Sequence, residues 1–182
     1  MRKATALVLA IIVLFTGMWL LASWQREQYR RAEKERRDLW VFSIKGSLEK
    51  GERQVSLYSC SNTDFLLSSI RGMPEVESIL FQQTIDLSDV GIAELPTFPH
   101  LKHLVFKGER GLKDSNFELL AKCSSLEILE LNRTNVTDKG LVFVSQMKTL
   151  RTIVLSSEFS YEAVENLRAM RPELVIERRD VF

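Results

Sequence analysis

Along residues 126–140, LEILELNRTNVTDKG, apolar side chains fall at Leu126, Ile128, Leu129, Leu131 and Val136. That rhythm fits neither one helix nor one simple strand. The core Leu129-Glu-Leu131 alternates with period two, which predicts a short strand with one face turned inward. A polar turn at Thr134 follows, with Val136 as an inward apolar residue, and Thr137 or Asp138 is placed to cap a short helix. The apolar face of that helix is Leu141, Val144 and Met147, and it returns the chain to Leu150.

The same strand–turn–helix phrase recurs. Val76-Glu-Ser-Ile79-Leu-Phe81, Leu101-Lys-His-Leu104-Val-Phe106 and Leu150-Arg-Thr-Ile153-Val-Leu155 match Leu126–Leu131, with a degenerate copy at Val55-Ser-Leu57 and a trailing Leu174-Val-Ile176. The last apolar positions are Leu57, Phe81, Phe106, Leu131, Leu155 and Ile176, spaced 24, 25, 25, 24 and 21 residues apart. A repeat of this length marks stacked units, because a single unit cannot bury its own apolar side. Helices are predicted at 64–70, 114–120 and 160–167. The arm between Phe81 and Leu101 is predicted to be short or irregular, because Pro96 and Pro99 stop a helix. Thr84 and Cys60 take the turn position of Thr134. Glu177, Arg178, Arg179 and Asp180 form a polar edge that discourages further pairing.

Leu126-Glu-Ile-Leu129-Glu-Leu131-Asn-Arg-Thr134-Asn-Val136 resembles the leucine-rich repeat. With Thr at the turn, it is similar to the ribonuclease-inhibitor-like subclass and to bacterial membrane-anchored leucine-rich repeat proteins. The resemblance covers about residues 52–178 and is strongest over 101–156. It implies an α/β leucine-rich repeat solenoid, short parallel strands on one face and short helices on the other, and non-catalytic recognition of a protein.

Ahead of the repeats, residues 4–24 read ATALVLAIIVLFTGMWLLASW, without a charge. At about 1.5 Å per residue this stretch reaches roughly 31 Å, the thickness of a bilayer core, and predicts an uncleaved N-terminal transmembrane helix. Leu21-Ala22-Ser23 is a poor small-x-small site for cleavage. The short basic N-terminus reads as a signal anchor, which puts the C-terminal domain outside the cytoplasm, although the Lys and Arg residues after the span argue the reverse orientation. Residues 25–51 read as a charged helical stalk and N-terminal cap. Glu27–Arg31, Arg31–Glu35 and Glu33–Arg37 are opposite charges one helical turn apart, while Leu39, Trp40, Phe42, Ile44 and Leu48 form an amphipathic stretch. The expected organisation is an anchor at 1–24, the stalk and cap at 25–51, and a repeat domain at 52–182, in a single-pass membrane protein.

Composition narrows the function classes. The 182 residues carry 25 Lys and Arg against 24 Asp and Glu, a net charge of +1, with no basic excess for nucleic acid. Two cysteines make no disulfide scaffold. Cys60 and Cys123 sit more than two repeats apart and read as buried thiols. His100 and His103 point to different sides of an extended segment and read as surface or edge histidines. No nucleophile motif or phosphate loop is present, so neither enzyme activity, cofactor, metal nor small-molecule substrate is expected. Asn132-Arg-Thr134 and Asn135-Val-Thr137 match glycosylation sequons, and the turn chemistry of the repeat already accounts for them.

The outward strand positions are the candidate interface. A central column holds Ser56, Leu80, Val105, Glu130 and Val154. It is flanked by Gln54, Ser78, His103, Ile128 and Thr152 on one side and by Tyr58, Gln82, Lys107, Asn132 and Ser156 on the other. An apolar centre of Leu80, Val105, Ile128 and Val154, facing solvent within a polar rim, suits a protein partner. The expected contact residues are Tyr58, Leu80, Gln82, His103, Val105, Lys107, Ile128, Glu130, Asn132, Thr152 and Val154. The alternative expectation is a structural scaffold or assembly factor of a membrane complex, in which the stalk and span make the main contacts.

Overall fold

A computed structural model describes the backbone of residues 2–179 and the side chains of residues 15–179. Helix α1 runs over Arg2–Glu49. Six strands follow: β1 (Gln54–Tyr58), β2 (Ser78–Gln82), β3 (His103–Lys107), β4 (Ile128–Asn132), β5 (Thr152–Leu155) and β6 (Val175–Arg178). They form one parallel sheet in sequence order. Between them lie helices α2 (Thr63–Ser69), α3 (Asp89–Ile92), α4 (Phe117–Leu120), α5 (Asp138–Val144) and α6 (Tyr161–Met170), with 3₁₀ turns at Leu95–Thr97 and Asp114–Asn116. The chain divides between Trp40 and Val41 into two compact units. Every strand belongs to the second.

Two expectations are corrected. No helix among the described residues is long and apolar enough to cross a membrane. Of the apolar segment 4–24, the side chains of residues 4–14 lie outside the described set. On that finding the expected transmembrane anchor, the single-pass membrane location and the orientation derived from it are corrected. The fold that was expected to be a leucine-rich repeat solenoid on such an anchor is a six-stranded parallel sheet with connecting helices.

The period of the sequence appears as register. Leu57 pairs with Phe81, Phe81 with Phe106, Phe106 with Leu131 and Leu131 with Leu155. A second inward row is Val55, Ile79, Leu104, Leu129 and Ile153. All ten are at most 2% exposed. Phe81 and Phe106 stack with ring centroids 5.0 Å apart and planes 6° from parallel. Each such side chain contributes about 1.5–3 kcal/mol on burial. The last strand is shifted from the sequence expectation. Ile176 pairs with Ile153, and Leu155 faces Arg178. Leu57 and Val55 meet no strand beyond β1. Val41, Ile44 and Leu48, near the C-terminal end of α1, pack against the same core.

Polar groups tie neighbouring turns of chain together, and they explain why Asp recurs at the start of four helical segments, as Asp64, Asp89, Asp114 and Asp138. Asp64 accepts bonds from the backbone N–H (3.0 Å) and hydroxyl of Ser88, the N-cap of α3. Asp114 accepts from the N–H (2.8 Å) and hydroxyl (2.6 Å) of Thr137, the N-cap of α5. Asp138 accepts from the N–H of Ser160, the N-cap of α6 (3.0 Å). Asp89 accepts from the side-chain amide of Asn116 (2.8 Å). Each carboxylate satisfies N–H groups in the next turn of chain while sitting near the positive end of its own helix. The approach is close: a Cβ on Gly140 would lie 2.5 Å from Asp114 Oδ1, so glycine there makes room for the carboxylate.

Candidate functional site: the outward strand face

Residues just after the strands set the edge of this face. Ser59, Gln83, Gly108 and Arg133 all have positive φ, between 43° and 71°. The N–H groups of the first three continue the ladder where the strands end. Ser59 donates to the carbonyl of Gln82 (2.9 Å), Gln83 to that of Lys107 (2.8 Å) and Gly108 to that of Asn132 (2.8 Å). The left-handed turn then sends the chain inward. Three of the four positions are not glycine, a conformation that costs about 1–2 kcal/mol each. One residue further on, Glu109 is 0% exposed, with its carboxylate accepting from the N–H and the hydroxyl of Thr84, both at 2.7 Å. Burial raises its pKa, and the Thr84 bonds oppose that rise.

Strand register assembles the predicted interface into three rows. Ser56, Leu80, Val105, Glu130 and Val154 form the central one, and Glu177 extends it. Tyr58 is 50% exposed, while Leu80, Gln82, His103, Lys107, Ile128, Glu130 and Thr152 are half-buried. Val105 and Val154 depart from expectation: they are 6% and 5% exposed. The apolar centre is therefore not open to solvent along its length. Parallel strands lie about 4.8 Å apart, so a short β-branched side chain between longer ones is shielded by its neighbours. Glu130 stands between the two valines in the register. Of the four predicted apolar positions, Leu80 and Ile128 remain accessible.

Glu130 is the electrostatic hub. Its side chain is only 15% exposed; one oxygen meets His103 Nε2 at 3.1 Å and the other Arg179 at 3.8 Å. Its pKa is lowered, first by the His103 hydrogen bond and then by the charges of His103, Arg179 and Lys107. Arg179 also binds Glu177 (3.0 Å). Beside this network is a cavity of about 100 Å³ lined by Lys107, Glu130, Leu131, Asn132, Val154, Leu155, Ser156 and Arg179.

Arg179, Glu177 and Ser156 were not among the predicted contact residues. The signal that could have found the first two is the spacing of 23 between Ile153 and Ile176. It is close to the general period, and it carries the central row on to Glu177. Matching Ile176 to Leu155 broke that alignment.

Other candidate chemistry disperses. His100 Nδ1 lies 2.9 Å from the Pro74 carbonyl, away from His103's partner. No cluster of three metal-ligating side chains occurs among the described residues. Cys60 and Cys123 are buried free thiols; burial raises the pKa of the first and pushes that of the second up to about 12. Both remain protonated at neutral pH, unlike a nucleophilic thiolate.

No protein-family model matches the sequence, and no curated protein matches it.

Proposed function

We propose that this protein is a non-catalytic recognition module that binds a protein partner through the outward face of its parallel sheet. The observation that carries the reading is the half-buried set Leu80, Gln82, His103, Lys107, Ile128 and Thr152, with Tyr58 at its edge. Strand pairing holds these side chains in fixed rows, and a surface organised in advance loses less entropy on binding than a mobile loop does. Accessible apolar groups surrounded by polar ones match the anatomy of protein interfaces. The resemblance of the repeat to leucine-rich repeat proteins, whose strand faces recognise other proteins, supports the same assignment.

The test is a photo-cross-linking amino acid placed at Gln82 in one variant and at Val142, on α5, in another. The Gln82 variant is expected to trap a discrete protein that the Val142 variant does not. Purified, that protein should bind the Leu80→Asp/Ile128→Asp double variant at least tenfold more weakly, a loss of about 1.4 kcal/mol, and bind Val142→Asp normally. Equal loss in both variants, or trapping only from Val142, would refute the assignment.

A further inference from the structure

The residues just ahead of the strands alternate in charge across the sheet: Arg53, Glu77, Lys102, Glu127 and Arg151. The backbone sets each beside the next. The N–H of Glu77 donates to the carbonyl of Arg53 (2.9 Å), and those of Lys102, Glu127 and Arg151 each donate to the carbonyl before them in that row (2.8 Å). Glu77 meets Arg53 at 3.9 Å and Lys102 at 3.0 Å. The alternation stops at Arg151. Thr152 pairs with Val175, so the next position in the row is Leu174, an apolar residue where an acid would continue the pattern. Lys148 adds a second cation from the same short segment, Lys148-Thr-Leu-Arg151, which contains no acid. These residues line a cleft of about 570 Å³ at the end of the sheet where β3 to β6 begin. Its cations are Lys102, Lys148, Arg151 and Arg171, and its carboxylates are Glu127 and Glu173. Counting Glu77 together with its other partner Arg53 leaves the positive excess at two. Lys102 is committed to Glu77, and Arg171 to Glu173 and to the carbonyls of Val144 (3.3 Å), Met147 (3.1 Å) and Leu150 (3.0 Å). Arg171 thereby offsets the negative C-terminal end of α5. Lys148 and Arg151 are exposed and have no carboxylate within 4.0 Å among the described residues.

We propose that this cleft binds a phosphate group, with Lys148 and Arg151 supplying the charge and the hydroxyls of Ser124 and Thr149, which also line it, donating to phosphate oxygens. None of the expected contact residues of the strand face lines the cleft, so this site goes beyond the recognition reading and does not depend on it. The charge matches. A phosphomonoester carries about −1.5 to −2 at pH 7 and offers three strong acceptor oxygens, against a positive excess of two. A carboxylate brings less charge and one oxygen fewer. Arg151 suits a phosphate because a planar guanidinium can pair two of its oxygens at once, in charge-assisted bonds stronger than neutral ones. The volume lies within the roughly 300–1,000 Å³ of ligand sites, room for free phosphate or for a phosphorylated side chain with its backbone. Glu127 is the opposing charge. It stands between Lys102 and Arg151 in the row, so neutralising it should strengthen binding.

The test is isothermal titration of the full chain, in a phosphate-free buffer of low ionic strength. The probes are a short alanine peptide carrying phosphoserine at its centre, the same peptide with serine, and inorganic phosphate. The phosphopeptide should bind saturably with one site per chain, and the serine peptide should not bind. Lys148→Gln/Arg151→Gln should weaken the phosphopeptide at least tenfold; both side chains are exposed, so the fold is kept. Glu127→Gln should tighten binding severalfold. Lys139→Gln, on α5 and outside the cleft, should leave it unchanged. Competition separates the two sources of phosphate. Inorganic phosphate that displaces the peptide at concentrations near the peptide's own Kd marks a site for the free ion, whereas a requirement for at least tenfold more marks a site for a phosphorylated side chain. Equal binding of the phosphoserine and serine peptides, binding unchanged in Lys148→Gln/Arg151→Gln, weakening by Lys139→Gln as large as in that double variant, or weakening by Glu127→Gln would overturn the proposal.

Discussion

The two faces of the sheet use the same strands and differ in what their side chains are asked to do. Inward, from β1 to β5, the rows through Phe81 and Phe106 and through Ile79 and Leu104 are uniformly apolar and sealed. Outward, the central row mixes Ser56, Leu80, Val105, Glu130 and Val154, and burial changes from one strand to the next. Period two determines which face a residue occupies. It does not determine exposure, because on the outward face that depends on the length and charge of the neighbours one strand away. The same contrast separates two carboxylates. Glu109 is enclosed and satisfied by Thr84 alone, whereas Glu130 is bridged to His103 and Arg179 near solvent.

The largest effect that would sharpen this contrast is loss of an inner ring. Phe106→Ala should destabilise the fold by about 3–5 kcal/mol, whereas Leu80→Ala, on the half-buried outer row, should stay below about 1 kcal/mol. Comparable midpoints in chemical denaturation for the two variants would break the distinction between the faces.

Next in size is the helix side. Gly140→Ala forces a Cβ to 2.5 Å from Asp114 Oδ1 and 2.7 Å from Val136 Cγ1, an overpacking expected to cost about 1–3 kcal/mol. Asp114→Ala removes the bonds to the Thr137 N–H and hydroxyl and should cost about 1–2 kcal/mol. The double variant Asp114→Ala/Gly140→Ala should cost less than the two single losses together, since the clash partner is gone. Strict additivity in a thermal or denaturant cycle would show that the carboxylate and the glycine are not coupled.

The smallest effect is a difference of sign with pH. Glu109's folded pKa lies above its ordinary value of 4.5, so the folded state binds the proton more tightly. Its contribution to stability grows as pH falls from the raised value toward 4.5, and is lost as pH rises through that window. Glu130's folded pKa lies below 4.5. Its contribution is present above 4.5 and lost as pH falls through the lowered value. Wild-type stability minus that of Glu109→Gln should therefore rise on acidification, while wild type minus Glu130→Gln should fall. The same sign in both differences would contradict the environments assigned to them.

Much of the strand side was legible in the sequence, because 24- to 25-residue spacing and period-two alternation are strong, redundant signals. They predicted the Leu57–Phe81–Phe106–Leu131–Leu155 alignment. The prolines at 96 and 99 correctly limited the arm there to a four-residue helix and a 3₁₀ turn. The last strand was misaligned because its unit is shorter and Leu174-Val-Ile176 offers more than one apolar match. The burial of Val105 and Val154 was not legible, since it depends on three strands at once. The Lys107–Asn132 cavity was only half legible: both residues were placed on the face, but Arg179 closes it from beyond the last recognised repeat. The apolar segment at 4–24 misled because hydrophobic length alone was read as a span, and no membrane-crossing helix follows among the described residues.

The most direct measurement of the central claim is hydrogen–deuterium exchange of the full chain with and without the cross-linked partner. Recognition through the strand face predicts slowed exchange within residues 78–83, 103–108 and 128–133, with α5 and α6 unchanged. Protection confined to residues 138–144 and 161–170, with the strands unaffected, would contradict it.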